Sequence, residues 1–141
     1  MTHEESTLAP PDGFSRHFRR SPLTDPWEPL YSRNTGEAIF FGLHVATPHT
    51  NSRGFAHGGL ISALADNAMG LSCGLKLENA LGLVTVGLTI DFLNTARIGQ
   101  WLEVRPEVVK TGAALSFAQC RVTADGKPCA RGNATFSIVK R

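Results

Sequence analysis

Between Asn51 and Asp66 the chain reads "NSRGFAHGGLISALAD", where an amide, an imidazole, paired glycines and a carboxylate interrupt an apolar stretch. Gly58 and Gly59 stand where a helix begins. Glycines there let a ligand approach the backbone closely, and first-turn N–H groups have no partner within the helix. With the positive end of the helix dipole, they suit a developing negative charge such as the oxyanion of acyl transfer. Asn51 and His57 can add side-chain donors near the same carbonyl oxygen. The plainer alternative is a tight turn opened by the glycines, with Asn51 shaping the loop. Asp66 argues for chemistry, because a carboxylate inside an Ala/Leu/Met helix is costly to bury unless paired or used. Used, it is a general base or a nucleophile toward a bound carbonyl; paired, it bonds neighbouring backbone or Asn67.

Spacing adds a constraint. Gly58 and Asp66 are eight residues apart, which on one helix means roughly 12 Å of rise and 80° of rotation. They cannot touch one carbonyl from the same chain. If both act, Asp66 must come from a second copy packed antiparallel to the first, giving a symmetric dimer with two sites at its seam.

The elements that must hold these residues follow from local pattern. "GGLISALADNAMGLSCGLKL", Gly58 to about Leu77, is apolar on nearly every side and rich in small residues, which predicts one long helix wrapped on most faces. Before it, "WEPLYSRNTGEAIFFGLHVAT" predicts two strands around a turn at Asn34-Thr35-Gly36. After it, "LVTVGLTIDFL" alternates, with Val84, Val86, Leu88, Ile90 and Phe92 on one face and Thr85, Gly87, Thr89 and Asp91 on the other. Thr85 thereby brings a hydroxyl to a face where a polar site can use it, while Asp91 reads as solvated or locally bonded. "QWLEVRPEVVKTG", "AALSFAQCRVTAD" and "CARGNATFSIVKR" complete four strands. Two strands, one long helix and four strands predict an α+β domain over 27–141, its antiparallel sheet curling around the helix. Residues 1–26 read as a flexible arm in which Phe14 and Phe18 suit one docking helical turn.

The Asn-x-x-Gly-x-x-His-Gly-Gly…Asp pattern of "NSRGFAHGGLISALAD" resembles the hot-dog-fold thioesterases of the phenylacetate-pathway (PaaI-like) branch and its human acyl-CoA thioesterase relatives. The resemblance spans roughly residues 27–140, including "LVTVGLTIDFLNTARIG". It implies the hot-dog fold, dimers joined into one continuous sheet, commonly homotetramers, and hydrolysis of acyl-CoA thioesters with aryl-acetyl or medium-chain acyl groups. By position it implies that Gly58 supplies the oxyanion N–H and Asn51 orients the carbonyl. It further implies that His57 supports the loop and that Asp66 of the facing subunit activates water or attacks directly. Thr85 stands where a Ser of the human branch places the water, and it keeps the hydroxyl. A hot-dog enoyl- or hydroxyacyl-thioester hydratase or dehydratase, recasting His57 and Asp66 as its acid–base pair, is the nearest rival. A non-catalytic acyl-CoA-binding domain is the rival of another class.

Composition narrows the partners. The 141 residues suit one domain, and the net charge of +2, with scattered basic residues, argues against nucleic acid or a membrane surface. No apolar run approaches a membrane span, and "MTHEESTLAPPDG" is not a secretory signal. Cys73, Cys120 and Cys129, odd in number and without a CxxC pair, fit a cytoplasmic chain with reduced thiols. His44, His49 and His57 lack convergent metal-ligand spacing, so no metal is expected, and no cofactor besides the CoA of the substrate. Gly59, Arg97 and Arg131 are the candidate substrate-binding residues, with Arg105, Lys110 and Arg121 as further candidates for the CoA phosphates. Phe40, Phe41, Phe92, Phe117 and Phe136 suit the core, one or two of them an acyl pocket.

Overall fold

Residues 8–78 and 80–140 are described by the computed structural model. Among these residues seven strands form one antiparallel sheet around a single α-helix: β1 (Ser15–Arg16), β2 (Tyr31–Asn34), β3 (Ile39–His44), α1 (Gly58–Leu75), β4 (Ala80–Phe92), β5 (Trp101–Thr111), β6 (Leu115–Ala124) and β7 (Lys127–Lys140). The strand order is β1-β2-β3-β5-β6-β7-β4. The strand–strand–helix–four-strand succession is as expected, and so is the hairpin turn, where Gly36 takes a φ of 89° and its N–H donates to Asn34 Oδ1.

The helix buries Leu60, Ile61, Leu64, Ala65, Ala68, Met69, Ser72 and Cys73. Positions three and four apart recur because 3.6 residues make a turn, so these side chains form one stripe. That is one side, not most of the circumference as the sequence suggested. Within a single chain, Ser62, Asp66, Asn67 and Gly70 are only half-buried. The stripe meets Phe41, Leu43, Leu102, Val104, Val122 and Phe136 from the sheet. Ser72 pins the layers together: its hydroxyl donates to Ala68 O at 2.7 Å and accepts from Ile39 N at 2.9 Å.

Two departures from the expected strand pattern matter for the site. In β4, Thr85 opposes Phe136 and Gly87 opposes Thr135, so Val86 is an extra residue in the ladder. A bulge reverses which parity faces inward. Leu83 and Thr85 before it, and Ile90 and Phe92 after it, therefore turn to the helix side, while Val84 and Asp91 face outward. The clean alternation expected across Val84–Phe92 is thus broken, and Asp91 does not share a face with Thr85. Asp91 is locally bonded, accepting from Arg131 Nε at 3.0 Å.

The second departure is the N-terminal stretch. Phe14 and Phe18 form no helical turn: Ser15 pairs with Ser32 and Arg16 with Tyr31 as strand β1. The Phe14 ring stands edge-on to Trp101 at 5.1 Å, and His17 packs on Phe41 at 4.5 Å, whereas Phe18 is 68% exposed. Ser15 and Arg16 thus join the sheet as its edge strand.

The sheet's two edges differ. β1 is two residues long, whereas β4 presents thirteen along a bare edge. Leu81, Val84 and Val86 on it are 57%, 57% and 63% exposed.

Candidate active site

The loop before α1 is folded by Asn51. Its Oδ1 accepts from Arg53 N at 2.9 Å and Phe55 N at 3.2 Å, and its backbone N–H donates to Phe55 O at 2.8 Å. These bonds fix the side-chain plane and leave the NH₂ group without a partner among the described residues. Asn51 thus shapes the loop, and its free donors still suit a ligand carbonyl.

His57 is the N-cap of α1. Its Nδ1 accepts from Gly59 N at 2.7 Å, which makes Nε2 the protonated nitrogen of the neutral ring. A Cβ at Gly59 would sit 3.0 Å from that Nδ1, so the second glycine makes room for the cap. Gly59 therefore spends its N–H inside the loop. The N–H of Gly58, one residue earlier, has no acceptor among the described residues. A Cβ at Gly58 would approach the Phe92 ring to 3.1 Å, so this glycine also permits a close contact with β4.

Asp66 lies on the half-buried side of α1, facing β4. Thr85 Oγ1 donates to Asp66 Oδ1 at 2.7 Å. Oδ2 has no partner among the described residues. The bulge at Val86 is what lets Thr85 face the helix while Phe92, seven residues on, does so too. Asp66 and Thr85 line a cavity of about 390 Å³ together with Asn67, Gly70, Leu83 and Phe136. Phe41 also reaches this cavity, whereas Phe92 instead covers Gly58.

A helix-start N–H without an acceptor among the described residues and a separate, hydroxyl-oriented carboxylate are groups suited to acyl transfer. The thioesterase superfamily family model matches residues 53–130. The chain belongs to the thioesterase superfamily. It is accordingly a thioester hydrolase. A Pseudomonas aeruginosa protein named "putative esterase" is 37% identical over 129 residues, 91% of this chain and 96% of its own. Mouse acyl-coenzyme A thioesterase 13 is 32% identical over 103 residues, 70% of this chain and 71% of its own. Among solved structures, zebrafish thioesterase superfamily member 2 is 28% identical with a TM-score of 0.72, covering 77% of this chain and 80% of that one. The phenylacetic acid degradation protein PaaI of Thermus thermophilus, 22% identical, has a TM-score of 0.73 over 83% of this chain and 98% of that one. These likenesses identify the helix-in-sheet arrangement as the hot-dog fold.

The basic candidates separate in space. In this thioesterase Phe55 and Arg97 form an isolated bridge, which puts Arg97 beside the Asn51 loop. Arg131 lies on the outer face of the sheet, bonded to Asp91, and lines a different concavity with Arg105 and Arg121. The fold does not bring Arg131 to Gly58 or Asp66 within the chain. His49 is a structural histidine: its Nδ1 accepts from Ala46 N and its Nε2 donates to Trp27 O, each at 2.8 Å. His44 Nε2 donates to Ala9 O at 2.9 Å. Cys73, Cys120 and Cys129 are buried and free, and burial pushes their thiols up to about 11, the wrong direction for a nucleophile. Sequence reasoning missed His17, Arg19, Ser21 and Thr24, which line the Asp66 cavity. Nothing in their local pattern signals it, because sheet curvature brings them there.

Proposed function

We propose that this enzyme hydrolyses acyl-CoA, with aryl- or medium-chain acyl groups, at a site shared between two copies of the chain. The observation carrying the reading is the division of labour on one helix: Gly58 offers its N–H at the first turn, and Asp66 offers Oδ2 two turns on. A helix cannot fold back on itself, so the reacting carbonyl meets both only if a second copy supplies one of them.

The thioester oxygen sits on Gly58 N–H with the Asn51 NH₂ beside it. Asp66 of the partner subunit, steadied by Thr85 of that same subunit, takes a proton from water through Oδ2. The water oxygen bonds the carbonyl carbon, and the oxyanion is held by the Gly58 and Asn51 donors. The C–S bond then breaks. The CoA sulfur leaves with the proton from Asp66, and the free acid remains. Thioesters are more reactive than amides, so a carboxylate and an oxyanion site suffice without a Ser-His pair.

The bare edge of β4 supports the pairing. Its apolar side chains stand to gain roughly 1.5–3 kcal/mol each on full burial, and an uncovered long edge invites another strand. Two β4 edges joined antiparallel give a homodimer with one continuous sheet, and a homotetramer is the expected further assembly. Among the described residues no helix is long and apolar enough to cross a membrane. Three free, buried cysteines support a reducing, cytoplasmic setting. Arg97, beside the Asn51 loop, is the favoured contact for the CoA phosphates, ahead of Arg131.

Free-thiol release from an acyl-CoA panel tests the reading. Turnover of aryl- or medium-chain acyl-CoA supports it. Loss of enoyl absorbance without thiol release, or tight binding without turnover of any member, contradicts it.

A further inference from the structure

The cavity holding Asp66 and Thr85 has two walls over a helical floor. Asn67, Gly70, Leu71 and Gly74 of α1 form the floor, and Leu81 and Leu83 of β4 form one wall. The other wall is the N-terminal segment: His17, Arg19, Ser21 and Thr24 all line it. This segment lies outside the residues 53–130 matched by the family model. From Asp66 to Gly74 the floor extends about 12 Å, and Gly74 would let a Cβ meet nothing within 4 Å. The chamber is thus long and open at its far end of the helix.

Its charges are sparse. Among the lining residues Asp66 is the carboxylate and Arg19 the permanent cation. The neighbouring arginines are committed: Arg16 pairs with Glu28 at 3.1 Å and Arg20 with Asp25 at 2.9 Å. Arg19 has no hydrogen bond or ion pair among the described residues, and it makes no salt bridge with Asp66. Of the segment's three arginines, the one that reaches the cavity is the one left without an anion among the described residues. His17 stands beside it, its Nδ1 3.0 Å from Ser32 Oγ and its ring packed on Phe41. Ser21 and Thr24 bond each other at 2.9 Å and leave this wall polar where β4 and Phe136 are apolar.

We propose that Arg19, with His17, is a specificity determinant that selects acyl groups ending in a carboxylate. The inference rests on the acyl-CoA reading and deepens it. An acyl chain with a carboxylate tail is oriented by this cavity twice over. Arg19 attracts the tail through a charge-assisted, bidentate-capable guanidinium, and Asp66 repels it from the reacting end. The apolar lining between them takes the methylenes.

The test compares kcat/KM, by thiol release, for two acyl-CoAs of equal chain length, one methyl-ended and one ending in a carboxylate, in the wild type and in Arg19→Ala. Arg19 is exposed and has no ion pair among the described residues, so the variant keeps its fold. The expected result is a carboxylate-to-methyl ratio that falls about tenfold in Arg19→Ala, with Arg19→Lys recovering part of it. An unchanged ratio overturns the inference. In particular, an equal loss on both substrates reassigns Arg19 to the shared CoA moiety. Absence of thiol release from either substrate in the wild type contradicts the acyl-CoA reading itself, and is distinguishable from an unchanged ratio.

Discussion

The first turn of α1 and its third turn are built in opposite ways. At the start, polar groups are spent on shaping the loop: Asn51 Oδ1 takes two N–H groups and His57 Nδ1 takes Gly59 N, while the Gly58 N–H and the Asn51 NH₂ stay free among the described residues. Two turns on, a carboxylate is held by one hydroxyl and left half unsatisfied, in a cavity rather than a loop. One region presents donors, the other an acceptor. On the proposed reading neither is a site alone, and the chain's chemistry is divided along the length of a rigid element. Rigidity is then the useful part, since a helix fixes both halves at a constant offset and the proposed twofold axis would superimpose one on the other.

Each region can be broken separately. Asp66→Asn removes the proton acceptor while keeping size and the Thr85 contact, and kcat for acyl-CoA hydrolysis is expected to fall by about 10²–10⁴ with unchanged thermal unfolding. Gly58→Pro deletes the free N–H at the one helical position where proline is well tolerated, and the extended backbone of His57 suits a following proline. Steady-state kinetics should show kcat lower by about 10²–10³, the helix surviving by circular dichroism and the exposed Phe92 ring giving way. Comparable losses from both would confirm that donors and acceptor act in one step.

The offset itself depends on the β4 edge. Val86→Lys puts a charge on the bare strand, which should favour the monomer by sedimentation. Activity should fall with the dimer fraction, about tenfold for each 1.4 kcal/mol of association lost. A fully active monomer would place the whole site in one chain. Thr85→Ala should cost less, about tenfold in kcat, and Thr85→Ser should restore most of it by returning the hydroxyl. Smallest is a stability effect on the cavity wall. Burial holds His17 below its ordinary 6.5, opposed by Glu28 and aided by Arg19. The unfolded chain therefore binds this proton more readily, so the contribution is present above pH 6.5 and is lost as pH falls through the folded value. Between pH 7.5 and 5.5 the fall in Tm should be smaller in His17→Gln by roughly 1–3 °C.

The donor half was the more legible in sequence. Loop and helix start are local, so "NSRGFAHGG" carries nearly all of it, and its eight-residue offset from Asp66 is what the proposed second chain rests on. The acceptor half was legible only as Asp66 and, through strand alternation and family likeness, Thr85. That Thr85 faces Asp66 depends on the Val86 bulge, and the alternating pattern concealed it because Val86 reads as a regular strand residue. The cavity wall was illegible. His17 and Arg19 reach Asp66's cavity through the curl of a seven-stranded sheet, a long-range consequence that no spacing within "HFRR" encodes. The same applies to Arg131, which strand alternation sends to the outer face, away from the helix.

Subunit complementation tests the divided site most directly. Asp66→Asn and Gly58→Pro chains, each nearly inactive, are unfolded together and refolded as a mixture, and thiol release is compared with each variant refolded alone. A site shared across the twofold predicts that mixed dimers carry one intact pair, Gly58 from the first chain and Asp66 from the second. Activity then returns to about a quarter of wild type for random pairing. A mixture no more active than the average of its two parents contradicts the account.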